Sequence, residues 1–397
     1  MRWPRSRHLL VAPVALCAIL AGGAVRRAQV TCGPFTDVSA LYCPYVLEAY
    51  YTGITAGTSP TTFAPDVPTT RGQAAVFVTK GLNQALARGS RRAALGQWWT
   101  TTPHYGLGLG VTSVGSLPQA VACDGQDVWT ANGGDSSVSR VRASDGKLLE
   151  TWTGADTASA ILVAMGRVFV MGRPQDAVGK LYSFDPSQPA GSVTLVSDSI
   201  GGGSWAIAFD GTNIWAAFRG NPTEPGAGLA IVHPGPSYPW TSTIVKTSIV
   251  DPEAMLFDGQ NIWIGDSGDG SLKKLDAAGT VIQTVPLTDG PVSLAFDGSN
   301  IWVTSAAPTI TVVSAATGSV LATLTGNGLN TPGGIAFDGS RILVTNVAGS
   351  VSLWRAADLV PLGSFPVAGA GNLPFGAASD GVNFWVTLIN SGQLARF

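Results

Sequence analysis

The chain has 397 residues, with 23 Lys plus Arg against 25 Asp plus Glu, a charged fraction of 12% and a hydrophobic fraction of 45%. That balance excludes a disordered polyelectrolyte, and with no basic block beyond the N-terminus it leaves no electrostatic footprint for nucleic acid. Fifty glycines and 25 prolines imply many turns, while three histidines and four cysteines leave little material for a zinc site.

At the N-terminus Arg2, Arg5 and Arg7 precede an apolar stretch from Leu9 to Val25 that ends in Ala21, Gly22, Gly23 and Ala24. This reads as a signal peptide over residues 1–24, with Gly22 and Ala24 at the two places where the peptidase admits only small side chains. Its removal takes the formal charge from -2 to -5, because three arginines leave. No second apolar segment of spanning length follows, so the mature chain is expected outside the cytoplasm without a membrane span. Export permits disulfides; Cys32 and Cys43, eleven positions apart, are the expected pair, and Cys123 is left as a small apolar side chain.

Residues 29–86 carry helical spacing. Val46, Ala49, Tyr50 and Gly53 fall at i, i+3, i+4 and i+7, and Thr70 with Gln73 has the spacing of a capping box that opens a second helix. Ala74, Phe77, Val78, Leu82 and Ala85 are expected to form that helix's buried face. The blocks Phe35-Thr36-Asp37-Val38, Gly53-Ile54-Thr55-Ala56-Gly57, Phe63-Ala64-Pro65 and Thr70-Arg71-Gly72-Gln73 resemble an S-layer homology module in order and spacing. The resemblance implies attachment to cell-wall polysaccharide, with Arg71 as the contact to an anionic sugar. The family usually presents three tandem copies and this chain shows one, with Gly72-Gln73 replacing the usual Ala-Glu, so self-association through the module is a further expectation. Residues 87–104, with Arg88, Arg91 and Arg92 and then Trp98 and Trp99, read as a linker.

From there on one sentence repeats. The string A-F-D-G-x-N-I-W recurs with Asp-Gly pairs at 124, 210, 258, 297, 338 and 380, and a degraded copy stands at Met165-Gly166. Intervals of 41, 45, 48, 39, 41 and 42 residues match four-stranded propeller blades. Pro118, Pro252, Pro291, Pro332 and Pro374 stand six residues before the Asp, and Trp129, Trp215, Trp263, Trp302 and Trp385 five residues after it, with Leu343 as the exception. Each unit reads as a strand, a tight Asp-Gly reversal and a returning strand, followed by two weaker strands. The last copy runs out after three strands, and the unassigned stretch 107–114 is the one available to complete it. The expected fold is therefore all-β, a seven-bladed propeller over 105–397 closed by pairing of 107–114 with the C-terminal blade. The repeats resemble the YVTN, NHL and streptogramin-lyase-like propellers, a group specific for fold and not for function.

Loops before the first strand and after the second strand of each blade share one rim of such a ring. Gln119, Asn132, Trp205, Arg219, Glu253, Asp266, Asn346 and Phe375 occupy those positions and form the candidate ligand-binding set. The leading expectation is a secreted or envelope-attached bacterial recognition protein that binds a glycan or a surface protein and needs no cofactor. The alternatives are a calcium- or magnesium-dependent lyase or hydrolase in the channel, and a non-catalytic structural surface component. Resemblance to the lyases implies a histidine on the channel rim; His104 falls in the linker and His233 near the end of a third strand, toward the other rim. Gly265-Asp266-Ser267-Gly268 lacks protease partners, and Asp266, Asp269 and Gly270 lack the rest of a calcium loop.

Overall fold

The computed structural model describes residues 32, 34–39, 42–43, 46, 49–50, 55, 57–78, 110–172, 178–220, 226–246, 248–367 and 371–397. The chain divides into two compact units, Met1–Gly81 and Leu82–Phe397. The expected signal peptide and linker lie outside the described residues.

In the first unit Cys32 and Cys43 are joined as a disulfide, and with Phe35 and Val46 they form a small core against which Val38, Tyr50 and Phe63 pack. The Asp37 carboxylate accepts the backbone N–H groups of Phe63 and Ala64, which hold it below its ordinary pKa and fasten the loop at 63–64 to the start of the module. Residues 71–78 are helical and begin in the expected capping box: Gln73 N–H donates to Thr70 Oγ1 at 3.2 Å, and Thr70 N–H to Gln73 Oε1 at 2.9 Å. The buried face expected of this helix is corrected: Phe77 is 39% and Val78 70% exposed, and Ala74 is exposed as well. The core of Cys32, Phe35, Cys43 and Val46 closes without them. Leu82 and Ala85 lie outside the described residues.

The second unit is a ring of seven four-stranded antiparallel sheets. Blades 1 to 6 span 118–153, 158–197, 204–245, 252–286, 291–325 and 332–366, each running outward in chain order. Blade 7 takes its inner three strands from 374–396 and its outermost from Gly110–Ser113, which lies antiparallel on Gln393–Arg396 with Gly110 opposite Arg396. First and last strands thus share one sheet, which closes the ring.

The repeated Asp, Gly and Trp act together. The Asp closes the hairpin between the first two strands: in blade 4 the Asp258 Oδ1 accepts the N–H groups of Gln260 and Asn261, while Gly259 takes a φ of +96° that a side chain would strain. Its second oxygen accepts the indole N–H of the tryptophan five residues on, at 2.7–3.0 Å in five blades (Trp129, Trp215, Trp263, Trp302 and Trp385). In blade 6, where Leu343 replaces the tryptophan, Arg341 Nε donates to Asp338 Oδ2 instead. Burial alone raises a carboxylate's pKa, yet these donors outweigh it at Asp210 and hold that group low.

Seven apolar clusters lie one at each blade interface. Trp215 packs on Ile262 and Ile264 of the next blade, Trp263 on Ile301 and Val303, Trp302 on Ile342 and Val344, and Trp385 on Val128 across the closure. In blade 6 Leu343 takes the tryptophan's place in the cluster facing blade 7, while Trp354 of the third strand is fully buried on the other side, in the cluster of Trp302. Blades 6 and 7 approach closely beside the channel. A Cβ on Gly334 would stand 2.4 Å from the Phe375 carbonyl oxygen and 2.8 Å from the Ala377 nitrogen, both backbone atoms of the neighbouring blade. Gly334→Ala is therefore expected to destabilise the propeller by about 1–3 kcal/mol through forced separation of blades 6 and 7, read as a lowered denaturation midpoint at unchanged m.

Candidate functional site

Every innermost strand carries one extra residue near its start. The pairing register jumps between Pro118 and Ala120, Ala158 and Ala160, Ser204 and Ala206, Pro252 and Ala254, Pro291 and Ser293, Pro332 and Ile335, and Pro374 and Ala377. Such a bulge breaks the ladder for one residue and re-aims its side chain. The residue after each strand's first, namely Gln119, Ser159, Trp205, Glu253, Val292, Gly333 and Phe375, borders one cavity of about 280 Å³ at the channel. The segments leading in are held by the loop after the second strand: Gly133 N–H donates to Leu117 C=O, Ser267 to Asp251, Ala306 to Gly290, Val347 to Thr331 and Ile389 to Leu373, all at 2.9–3.1 Å. Leu117, Thr157 and Thr331, just ahead of three of these strands, sit at φ of +47° to +52°, a conformation that costs a non-glycine residue about 1–2 kcal/mol. Threonines buttress the ring from the blade before, Thr304 Oγ1 donating to Gly333 C=O and Thr345 Oγ1 to Phe375 C=O, each at 2.8 Å.

The structure sorts the eight sequence candidates into two groups. Gln119, Trp205, Glu253 and Phe375 border the cavity. Arg219 joins them from the loop after the second strand of blade 3: its guanidinium lies 4.5 Å over the Trp205 ring and forms ion pairs with Glu253 and Asp251 of blade 4. The other three are set apart from the cavity and buried. Asn132 donates through Nδ2 to Ser137 and Ser139 Oγ, both at 3.0 Å. Asn346 does the same to Ser350 and Ser352 and accepts the Asn330 N–H. Asp266 stands at the equivalent place in blade 4, where Ser271 keeps its position and Lys273 replaces the second serine. Its carboxylate accepts the N–H groups of Val250 and Asp251 and pairs with Lys273, whose side chain is 2% exposed. Each of the three ties the second strand to the third, and Asn346 and Asp266 hold the incoming loop as well.

Sequence reasoning missed Ser159, Val292 and Gly333 as ring members and Asp251 as a partner of Arg219. The signal was present: each ring member is the residue after the repeat's leading position, five before the hairpin aspartate where that aspartate exists. Beside blade 2, Asp156 accepts Lys180 Nζ at 3.1 Å and Tyr182 Oη at 3.0 Å. Lys180 and then Tyr182 hold that carboxyl below its ordinary pKa, while burial and then Asp156 push the phenol up.

His233 closes its third strand on the opposite rim, with Nδ1 3.0 Å from Asn213 Oδ1 and Nε2 2.9 Å from Thr243 Oγ1; His104 lies outside the described residues. Among the described residues no three His, Cys, Asp or Glu side chains gather to hold a metal ion, and no helix is long and apolar enough to cross a membrane. Arg71 opens the helix at 71–78 and is exposed.

Comparison with known proteins agrees with this architecture. Residues 34–75 match the S-layer homology domain. No curated protein matches the chain. Among solved structures a streptogramin B lyase superposes with a TM-score of 0.58 at 14% identity, covering 72% of this chain and 96% of the lyase. The virginiamycin B lyase of Staphylococcus aureus superposes with a TM-score of 0.56 at 12% identity, covering 72% and 98%. At such identities the likeness is one of fold. The chain therefore carries an S-layer homology domain, the mark of a bacterial cell-surface protein, ahead of a seven-bladed propeller similar in fold to the streptogramin lyases.

Proposed function

We propose that this protein is a recognition module held at the bacterial cell envelope, in which the S-layer homology domain attaches to wall polysaccharide and the propeller binds a glycan or a surface protein at its channel mouth. One observation carries the reading. Where the fold dictates the residue, most repeats agree: Asp-Gly at the hairpin in six blades, tryptophan against the next blade in five. At the bulged ring position all seven differ, as Gln119, Ser159, Trp205, Glu253, Val292, Gly333 and Phe375. A purely structural ring has no use for one cation-stacking indole, one carboxylate, one amide and one partly exposed phenyl around a single concavity, whereas a binding site uses such a mixture. Arg71 is proposed as the wall contact of the N-terminal unit.

The test is a calorimetric panel of wall glycans and extracted surface proteins against the full chain. Trp205→Ala and Phe375→Ala are each expected to weaken the binding partner tenfold or more with the denaturation midpoint held, since each removes an aromatic face at the mouth. Partners that bind both variants as well as the parent would overturn the reading, and heat on titration with calcium or magnesium that Glu253→Ala abolishes would favour metal-assisted chemistry in the channel instead.

A further inference from the structure

Each blade ends in an outer strand whose far side has no partner within the sheet, and in six of the seven that side is guarded. Glu150 lies within the outer strand of blade 1, whose end is also bonded through Thr153 to the segment 191–193. In blade 2 the Val196 carbonyl accepts the Trp240 N–H at 2.7 Å, in blade 3 Lys246 follows the strand directly, and in blade 7 the strand Gly110–Ser113 has only four residues. Blade 4 ends its outer strand in Pro286, and blade 6 bounds its own with Pro361 and Pro366. Blade 5 has none of these guards. Its outer strand, Val320–Thr325, reads Val-Leu-Ala-Thr-Leu-Thr, with Val320 48% and Leu321 55% exposed. Past a bulge at Leu321 its register on Thr309–Val312 is unbroken, and among the described residues no hydrogen bond joins it to a segment outside the blade.

The charge pattern singles out the same place. Residues 298–337 contain no Asp, Glu, Lys, Arg or His, in a chain that is 12% charged. From there to residue 379 the charged side chains are Asp338, Arg341, Arg355 and Asp358, which close on each other as two ion pairs. A partner of opposite charge has nothing to recognise on such a wall, whereas two copies of the chain meet there without like charges facing each other. Antiparallel pairing is also self-complementary: a two-fold axis lays a strand on its own copy, and each supplies the N–H and C=O groups that the other needs.

We propose that the chain forms a two-fold dimer in which Val320–Thr325 pairs antiparallel with the same strand of a second copy, joining two four-stranded blades into one continuous sheet. The inference goes beyond the recognition reading and is independent of what the channel mouth binds. Such a dimer presents two S-layer homology domains on one particle.

Sedimentation equilibrium on the full chain tests it. The parent is expected to dimerise reversibly at micromolar concentration. Thr323 is exposed near the middle of the strand, so in a two-fold register centred at 322, 323 or 324 it lies within about 8 Å of its copy. Thr323→Lys and Thr323→Glu should each weaken the dimer about tenfold with the denaturation midpoint held, because like charges then meet across the edge. Mixed in equal amounts the two variants should associate again, an outcome that a folding defect cannot produce. Leu148→Lys, on the outer strand of blade 1, should leave association unchanged. A parent that stays monomeric would overturn the proposal and leave the edge to a strand of another protein. Association that survives both Thr323 variants would overturn it too, by placing the contact on a different face such as the N-terminal unit, as would equal loss in Leu148→Lys or a mixture no better associated than its components.

Discussion

Asp266→Ala is expected to destabilise the propeller by about 3–5 kcal/mol, because it strands the Lys273 ammonium in a site where that side chain is 2% exposed. The same change removes the acceptor for the N–H groups of Val250 and Asp251, so the incoming loop of blade 4 loses its anchor too. Asp269 also pairs with Lys273, but it is 40% exposed and cannot replace the buried oxygen that Asp266 supplies. The diagnostic experiment is a double-mutant cycle. Blades 1 and 6 fill the corresponding three places with Asn132, Ser137 and Ser139, and with Asn346, Ser350 and Ser352. Asp266→Asn and Lys273→Ser alone should each cost stability, whereas together they recreate the neutral arrangement of the sister blades and should recover most of the loss. Chemical denaturation of the four proteins measures the coupling, expected at about 1–3 kcal/mol; additive costs would show that the ion pair is not the connection between them.

Trp263→Ala is expected to cost about 3–5 kcal/mol as well, by a different route. Its indole fills the interface between blades 4 and 5 against Ile301 and Val303, fully buried, and its N–H donates to Asp258 at 2.7 Å. Trp263→Phe keeps most of the volume and drops the tie, so it should cost about 1.5–3 kcal/mol, the usual scale for a hydrogen bond to a charged group. Asp258→Ala removes the same tie together with two turn acceptors and should cost at least as much as Trp263→Phe. Denaturant midpoints at constant m check the ranking; a Phe variant as unstable as the Ala variant would place the tie, rather than packing, in control of the interface.

Most of the ring was legible because its framework residues recur. A tight reversal demands Asp-Gly and an interface demands a large flat side chain, so the chain states both demands repeatedly and the count of seven follows. The S-layer homology blocks were legible for a similar reason, being short strings that open and close helices. The site was less legible. Asn132, Asp266 and Asn346 end their second strands and point back into the blade, whereas in blade 3 Phe218 ends that strand and Arg219, one residue further on, reaches across to Glu253, 34 positions away. The bulges were invisible to a period-2 strand pattern, since one extra residue moves the next side chain to the other face. The helix at 71–78 carries an apolar stripe that its own unit leaves exposed, and a stripe in the sequence does not say against what it lies.

The closing sheet joins Gly110–Ser113 to Gln393–Arg396, strands nearly the whole propeller apart in the sequence. On a ribosome the first of these strands emerges with no partner, and six blades can assemble in order while it waits. The interface of Trp385 with Val128 cannot form until blade 7 is made. Completion of the ring is therefore a late event of high contact order, and the waiting strand and the bare face of blade 1 are the surfaces most in need of protection from unwanted pairing during synthesis.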